Sequence, residues 1–380
     1  MRELTPTTFE DAAAGLAGAA AEGQAVRIRG GATKLDWGSI AAEPQVGLRT
    51  SALDRILEHN VGDLTVVVQA GAPLARVQEE LSDEGQMLAL DPPLGSLSRA
   101  ATIGGVLATA DSGPLRHRYG GPRDLLLGVT VALSDGTIAR AGGKVIKNVA
   151  GYDLGKLFTG SFGTLGVILS AAVRLHPLPA ATATALGAST DPDTLGDAAM
   201  ALAEAPLELE SLDVAWRSGQ GRILARVAGA EAVPRAQRAA ELMRSSRLEQ
   251  VDVADDDASL WARQRAGQRS REQAIVRVAA RPRELRVVLG AVEAAGGTLV
   301  GRAALGINYV EVDPEAVAGL RQALPPKAVS VVLDAPASLR KSIDPWGGYT
   351  AGPALELMRR VKARFDPARA CNRGVFVGGI

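Results

Sequence analysis

The chain has 380 residues, 47% of them hydrophobic and 22% charged, a composition that excludes disordered and fibrous classes and leaves room for two globular domains. Lys plus Arg number 42 and so do Asp plus Glu, so no general attraction to nucleic acid or to anionic membrane is expected. The single cysteine, Cys371, excludes an internal disulfide and cannot by itself hold an iron–sulfur cluster, which takes about four thiolates.

His59, His117 and His176 form no HExxH or HxH pattern, and no metal site is expected. The opening MRELTPTTFEDAAAGL lacks the apolar core of a signal peptide, and no run approaches the roughly 18 apolar residues of a spanning helix. A cytoplasmic protein is expected, reaching the inner face of a membrane only through partners.

In chain order, residues 24–30 read as a short strand stopped by Gly30-Gly31, and 65–69 as a β-branched strand, with Leu53, Ile56 and Leu57 marking a helix face between them. Pro73 suits a first helical turn, and Leu74, Val77 and Leu81 repeat at helical spacing until Gly85. Residues 125–133 followed by Ser134-Asp135-Gly136-Thr137 read as a strand entering a hairpin. After His176-Pro177-Leu178-Pro179 an Ala/Thr/Pro-rich run to about Asp193 reads as a connection. Strands at 212–216 and 222–227, a helix at 233–246, a strand at 274–279, a helix at 283–295, strands at 298–303 and 308–312, a helix at 314–323 and a strand at 329–333 follow. The predicted fold is therefore α+β, with an antiparallel ferredoxin-like sheet in its second part. No internal repeat is visible. A last helix at 353–364 ends at Phe365-Asp366-Pro367, where proline forbids continuation.

The richest segment is Lys147 to Ile168, KNVAGYDLGKLFTGSFGTLGVI, which sets Gly151, Gly155, Gly160, Gly163 and Gly166 among apolar residues. Bare backbone of this kind runs flat against a planar ligand. The spacing is not GxGxxG, and no GxxxxGK[ST] loop occurs, so a nicotinamide turn and a phosphate loop are both excluded. Arg29-Gly30-Gly31-Ala32-Thr33-Lys34-Leu35 reads either as a nest of backbone N–H groups for a diphosphate or as a tight surface turn. Asp91-Pro92-Pro93-Leu94 and Ala101-Thr102-Ile103-Gly104-Gly105 repeat the pairing of stiff with bare backbone. Near Tyr119-Gly120, Arg123 and Asp124 read as a solvated ion pair. Asp153 reads as a backbone cap and Tyr152 as packing rather than as catalytic groups, and Lys147 either as a charge beside a reduced cofactor or as a solvated lysine.

The ordered set RGGATKL, DPP, ATIGG, RYGGPRDLLLG and KNVAGYDLGKLFTGSFGTLGVI resembles the FAD-binding domain of the vanillyl-alcohol oxidase, or PCMH, type. Within it, the KNVAGYDL form is similar to the glycolate oxidase E-subunit family, and the closing FDPARACNRG resembles that type's C-terminal return segment, with Arg373 in place of a proline. The resemblance implies a two-part FAD-binding domain over 1–178, a cap over 179–352 and a return segment over 353–380. It implies that Gly30, Gly31, Ala32 and Thr33 line the diphosphate, that Pro92, Gly104 and Gly105 approach the flavin, and that Gly163, Gly166, Val167 and Ile168 contact the adenine side or ring. Arg29, Lys34, Leu35, Thr102, Tyr119, Gly120, Gly151, Tyr152, Asp153, Gly160 and Thr164 complete the expected cofactor-binding set. Members with a covalent tether carry a histidine where this chain has Ala32-Thr33, so noncovalent FAD is implied.

Self-sufficient hydroxy-acid oxidisers of the type carry a C-terminal EHG motif and a metal-binding histidine pair, and this chain has no histidine after His176. Oxidation needs a base and a cation for the carboxylate. Arg277, Arg302 and Arg373 are candidate cations, whereas Asp213, Glu311 and Asp344 read as solvated carboxylates rather than bases, so no catalytic residue is assigned. The resemblance implies an FAD-binding subunit acting on glycolate together with a homologous catalytic flavoprotein and an iron–sulfur subunit. The alternatives are a self-sufficient FAD-dependent 2-hydroxy-acid dehydrogenase and a non-catalytic scaffold of the same fold.

Overall fold

The computed structural model describes residues 1–96, 99–143, 154–347 and 352–380. The chain divides into two compact units, the first comprising Met1–Ser112, Gly120–Leu178 and Gly348–Ile380, the second Gly113–Tyr119 and Pro179–Gly347.

In the first unit, helix Phe9–Ala21 begins where Thr8 Oγ1 accepts the Asp11 amide at 3.0 Å, and Glu10 and Asp11 favour its N-terminal dipole. Its apolar stripe, Ala12, Leu16 and Ala19, is completely buried in one core with Val26, Val46 and Leu48. Those three residues belong to a parallel three-stranded sheet in the order Arg2–Leu4, Val46–Arg49, Val26–Arg29. An antiparallel five-stranded sheet follows the order Ile138–Gly142, Leu126–Ala132, Val167–Arg174, Thr65–Gln69, Ile56–Asn60. Its middle strand is buried from Val167 to Val173, which explains an uninterrupted run of apolar and small residues there.

One element of the first unit differs from its sequence reading. Leu53, Ile56 and Leu57 form no helix: a 3₁₀ turn at Thr50–Ala52 leads into the strand Ile56–Asn60, antiparallel to Thr65–Gln69. Ladder hydrogen bonds to a neighbour close in sequence outweigh a short coincidence of helical spacing.

The second unit is an eight-stranded antiparallel sheet in the order Glu249–Ala254, Thr182–Ser189, Gln220–Ala228, Ser211–Arg217, Thr298–Arg302, Ile307–Val312, Ala274–Ala279, Val329–Val332. Read along the chain, this is a βαββαβ unit used twice. The first copy runs from Thr182–Ser189 through helix Pro192–Glu204 to Glu249–Ala254, and the second from Ala274–Ala279 through helix Leu285–Ala294 to Val329–Val332. The duplication lies in topology rather than in residue identities, so the sequence showed no repeat. The Ala/Thr/Pro-rich run expected as a connection supplies the first strand of the first copy: its alternate residues Ala183 and Ala185 are fully buried, small enough for helix Ala232–Ser245 to pack closely.

The two copies join where Ser211–Arg217 pairs with Thr298–Arg302, and this register sets Asp213 opposite Arg302. Both are essentially inaccessible, their side chains form a salt bridge, and the Arg302 guanidinium lies 5.7 Å from the Tyr309 ring centre. Removing one partner strands a buried charge. Asp213→Ala should therefore lower the unfolding free energy by about 3–5 kcal/mol, read as an earlier urea midpoint in tryptophan fluorescence.

Candidate functional site

A cleft in the first unit, partly open to solvent, has a cavity volume of about 100 Å³. Its walls come from residues 27–37, from Thr102 to Thr109, from Phe162 to Ile168, and from Asn372 and Val375, with Thr50 and Ala70 between them. These segments are distant in sequence, and each is delivered by a strand end or a helix start. Strand Val26–Arg29 runs into the loop 30–35, and helix Ile103–Thr109 begins at Thr102, whose hydroxyl accepts the Gly105 amide at 3.3 Å.

The glycines make this meeting possible. A Cβ on Gly31 would stand 1.7 Å from the Ala100 carbonyl oxygen, and one on Gly104 2.7 Å from Ala70 Cβ. Gly163, with φ of 69°, would bring a Cβ within 2.7 Å of Asn372 Nδ2. The bare backbone of the motifs is thus used for packing loop on loop as well as for facing the cleft. Gly105 is different, because among the described residues only Thr102 Oγ1, at 3.2 Å, lies near its Cβ position, and Gly105 lines the cleft.

The chemistry of the walls is divided. On one side the chain turns at Ala32 with φ of 59°, and the amides of Gly31 and Ala32 donate to no acceptor among the described residues. Such a turn offers N–H groups to an anion. Beside it, Lys34 Nζ sits 3.0 Å from Asp111 Oδ2 in a pair whose side chains are 5% and 2% exposed, and 5.6 Å from the Trp37 ring centre. Ile28, on the strand that leads into this turn, and Phe162, Ile168 and Val375 present apolar surface, with Phe162 braced on Phe376 at 5.6 Å between ring centres. Open amides with a buried cation, next to apolar and aromatic walls, fit a ligand that joins a diphosphate to planar rings, as FAD does.

Of the expected cofactor residues, Arg29, Gly30, Gly31, Ala32, Thr33, Lys34, Leu35, Thr102, Gly104, Gly105, Gly163, Gly166 and Ile168 line the cleft. Pro92, Gly120, Gly160, Thr164 and Val167 do not. Val167 is core, the Gly160 amide is bonded to the Leu107 carbonyl, and Thr164 Oγ1 donates to the Ser161 carbonyl at 2.7 Å. Gly151, Tyr152, Asp153 and Lys147 lie outside the described residues. Tyr119 belongs to the second unit, where its hydroxyl donates to the buried Glu210 at 3.2 Å. Burial, and then the Glu210 carboxylate, push its pKa up to about 12. Asp124 is a cap rather than a solvated ion-pair partner, accepting the Gly121 amide at 2.8 Å ahead of helix Pro122–Leu125.

Sequence reasoning missed Trp37, Asp111, Phe162 and Asn372. Phe162, inside Lys147–Ile168, and Asn372, inside FDPARACNRG, carried a signal, whereas Trp37 and Asp111 did not.

The C-terminal segment completes the wall. Lys362 Nζ donates to the Thr164 carbonyl and to Asp366 Oδ2, each at 2.6 Å, and to the Cys371 carbonyl at 2.9 Å. Burial disfavours the Asp366 carboxylate, but Lys362 and the Cys371 amide outweigh it and hold its pKa below the usual carboxylate range. Burial, reinforced by Asp366, drives the Cys371 thiol pKa upward and leaves it unreactive at neutral pH.

The candidate hydroxy-acid groups lie in the second unit, apart from Arg373. Asp213 and Arg302 neutralise each other, Asp344 Oδ1 accepts the Trp346 amide at 3.0 Å, and Glu311 contacts the Thr298 hydroxyl at 3.4 Å. Arg373 Nε donates to the Arg369 carbonyl at 2.8 Å. Arg277, half-buried opposite Tyr309 in the sheet, makes no ion pair among the described residues. Among those residues no cluster of His, Cys, Asp or Glu is placed to hold a metal, and no helix is long and apolar enough to cross a membrane.

Residues 3–142 match the family of FAD binding domains. The chain carries a PCMH-type FAD-binding domain, and FAD is its cofactor. It is related to glycolate oxidase: it is 38% identical over 127 residues to glycolate oxidase subunit GlcE of Escherichia coli strain K12, covering 33% of this chain and 36% of that protein. It is 36% identical over 189 residues to subunit GlcD of Bacillus subtilis strain 168, covering 49% and 39%. Identity to the mitochondrial D-lactate dehydrogenase [cytochrome] of Arabidopsis thaliana is 37% over 150 residues, covering 40% and 26%. The chain thus spans well under half the length of these relatives. A solved alkyldihydroxyacetonephosphate synthase shares the fold with a TM-score of 0.70 at 14% identity, over 97% of this chain and 76% of that one.

Because the native pKa of Asp366 is depressed, its ion pair stabilises the first unit above the unfolded value of about 4, and that contribution fades as pH falls through the native value. The thermal midpoint should drop as the pH falls below about 4, and less steeply in Asp366→Asn than in the wild type.

Proposed function

We propose that the chain binds FAD noncovalently in this cleft and is the FAD-carrying subunit of a glycolate oxidase complex, acting beside a homologous catalytic flavoprotein and an iron–sulfur subunit. The observation that carries the proposal is the joining of open amides, a buried lysine and apolar walls in one cleft of the FAD-binding domain. Residues 30–34 would hold the diphosphate, and Thr102, Gly104 and Gly105 would take the bare-backbone contacts. Ala32-Thr33 offers no imidazole for a covalent tether. The chemistry that bound FAD supplies is acceptance of two electrons from a carbon bearing a hydroxyl.

Among the described residues, the candidate groups for that reaction are largely committed elsewhere. Asp213 is committed to Arg302 and Asp344 to a backbone amide, and no histidine follows His176. Glycolate oxidation is therefore assigned to the complex, with the protein cytoplasmic and any membrane contact made by its partners. A second reading, a self-sufficient 2-hydroxy-acid dehydrogenase, is favoured by Arg277, a cation that makes no ion pair among the described residues and suits a substrate carboxylate. The well-formed cleft argues against a scaffold that has lost FAD.

Denaturing the purified chain should release all of its flavin into the supernatant, and flavin left on the protein would overturn the noncovalent reading. Gly105→Ala should weaken FAD binding by about ten-fold or more while the melting temperature holds or rises, since alanine is better than glycine in a helix by roughly 1 kcal/mol. Anaerobic glycolate should leave the isolated chain's flavin oxidised, and reduction of it would favour the second reading.

A further inference from the structure

The geometry points to Asn372 and Lys362 as positioning residues that fix the spacing between two walls of the cofactor cleft, a role that rests on the FAD reading above. Asn372 spans the gap with a single side chain. Its Oδ1 accepts the Ile28 amide at 2.8 Å and its Nδ2 donates to the Phe162 carbonyl at 2.6 Å, while its own amide donates to the Val26 carbonyl at 3.0 Å. Ile28 and Phe162 both line the cleft. The pairing of oxygen with N–H and of NH₂ with carbonyl leaves no choice of amide orientation.

Asn372 can do this only if its backbone is held, and Lys362 holds it. The three donors of the ammonium meet three acceptors, on Thr164, Asp366 and Cys371. Asp366 in turn accepts the Ala370 amide at 3.1 Å and the Cys371 amide at 2.9 Å. The turn before Asn372 is thereby locked to Thr164, two residues from Phe162, through a cluster that is almost entirely buried. Gly163 completes the fit, because any side chain there would displace the Asn372 amide. Strand Val26–Arg29 carries the 30–35 loop, so a shift at Ile28 moves the open amides relative to the aromatic wall.

The test compares Asn372→Ala and Asn372→Asp with the wild type and with Val68→Ala, a core truncation in the five-stranded sheet at a residue that does not line the cleft. Each full-length protein is stripped of flavin and titrated with FAD, following flavin fluorescence and the visible circular dichroism of the bound flavin. Asn372→Ala should raise the FAD Kd by about ten-fold, the loss of two hydrogen bonds that set the site, and alter the dichroism. Asn372→Asp, of the same shape, should also lose affinity because its carboxylate would face the Phe162 carbonyl, and it decides the matter if Asn372→Ala does not fold. Val68→Ala should lower the melting temperature and leave both readouts unchanged. A Kd within about two-fold of wild type in either folded Asn372 variant overturns the positioning role alone. A folded wild type that takes up no FAD overturns the cofactor reading, and this role with it.

Discussion

The cleft depends on backbone approaching backbone where no side chain fits. Gly31 lies against the Ala100 carbonyl and Gly104 against Ala70, so segments from distant parts of the chain meet at contact distance. A Cβ at Gly31 would drive the 30–35 loop off the segment before helix Ile103–Thr109, and overpacking of this kind is not absorbed by a close-packed interior. Because the loops are held by one another, the Gly31 and Ala32 amides keep their donors free for a ligand among the described residues. Packing and binding are two uses of the same missing side chains.

The C-terminal segment extends this economy to a different kind of force. A buried ammonium is costly unless every proton finds an acceptor, and Lys362 meets that condition with one carboxylate and two carbonyls. The cluster is therefore intolerant of small displacements, which suits a residue that locates a binding wall. The buried pair Asp213–Arg302 shows the same logic at the seam of the second unit, where it withdraws two charged groups that would otherwise be candidates for substrate chemistry.

Much of the fold was legible because it is written locally. Val26–Arg29, Thr65–Gln69 and Leu74–Ser82 follow from β-branched runs and helical spacing, and most strands of the second unit were readable in the same way. Thr182–Ser189 was not, since its Ala and Thr residues are weak strand signals and its burial depends on helix Ala232–Ser245 packing over it. Ile56–Asn60 was misread for the reverse reason, a chance helical spacing in a segment whose partner strand decides its state.

At the site, the glycine motifs marked the loop 30–35, the Thr102–Gly105 helix start and the Gly163–Gly166 segment as bare backbone, and it was the resemblance to the FAD-binding type that read them as ligand-facing rather than as tight turns. The sequence also shows no histidine after His176. Only the tertiary structure decided that Trp37, Asp111, Phe162 and Asn372 join them, that Tyr119 belongs to another unit, and that Asp213 and Arg302 cancel one another. The reason is physical: a missing Cβ is a property of one residue, whereas a salt bridge, a buried amide bridge or a cavity wall exists only between residues that folding has brought together.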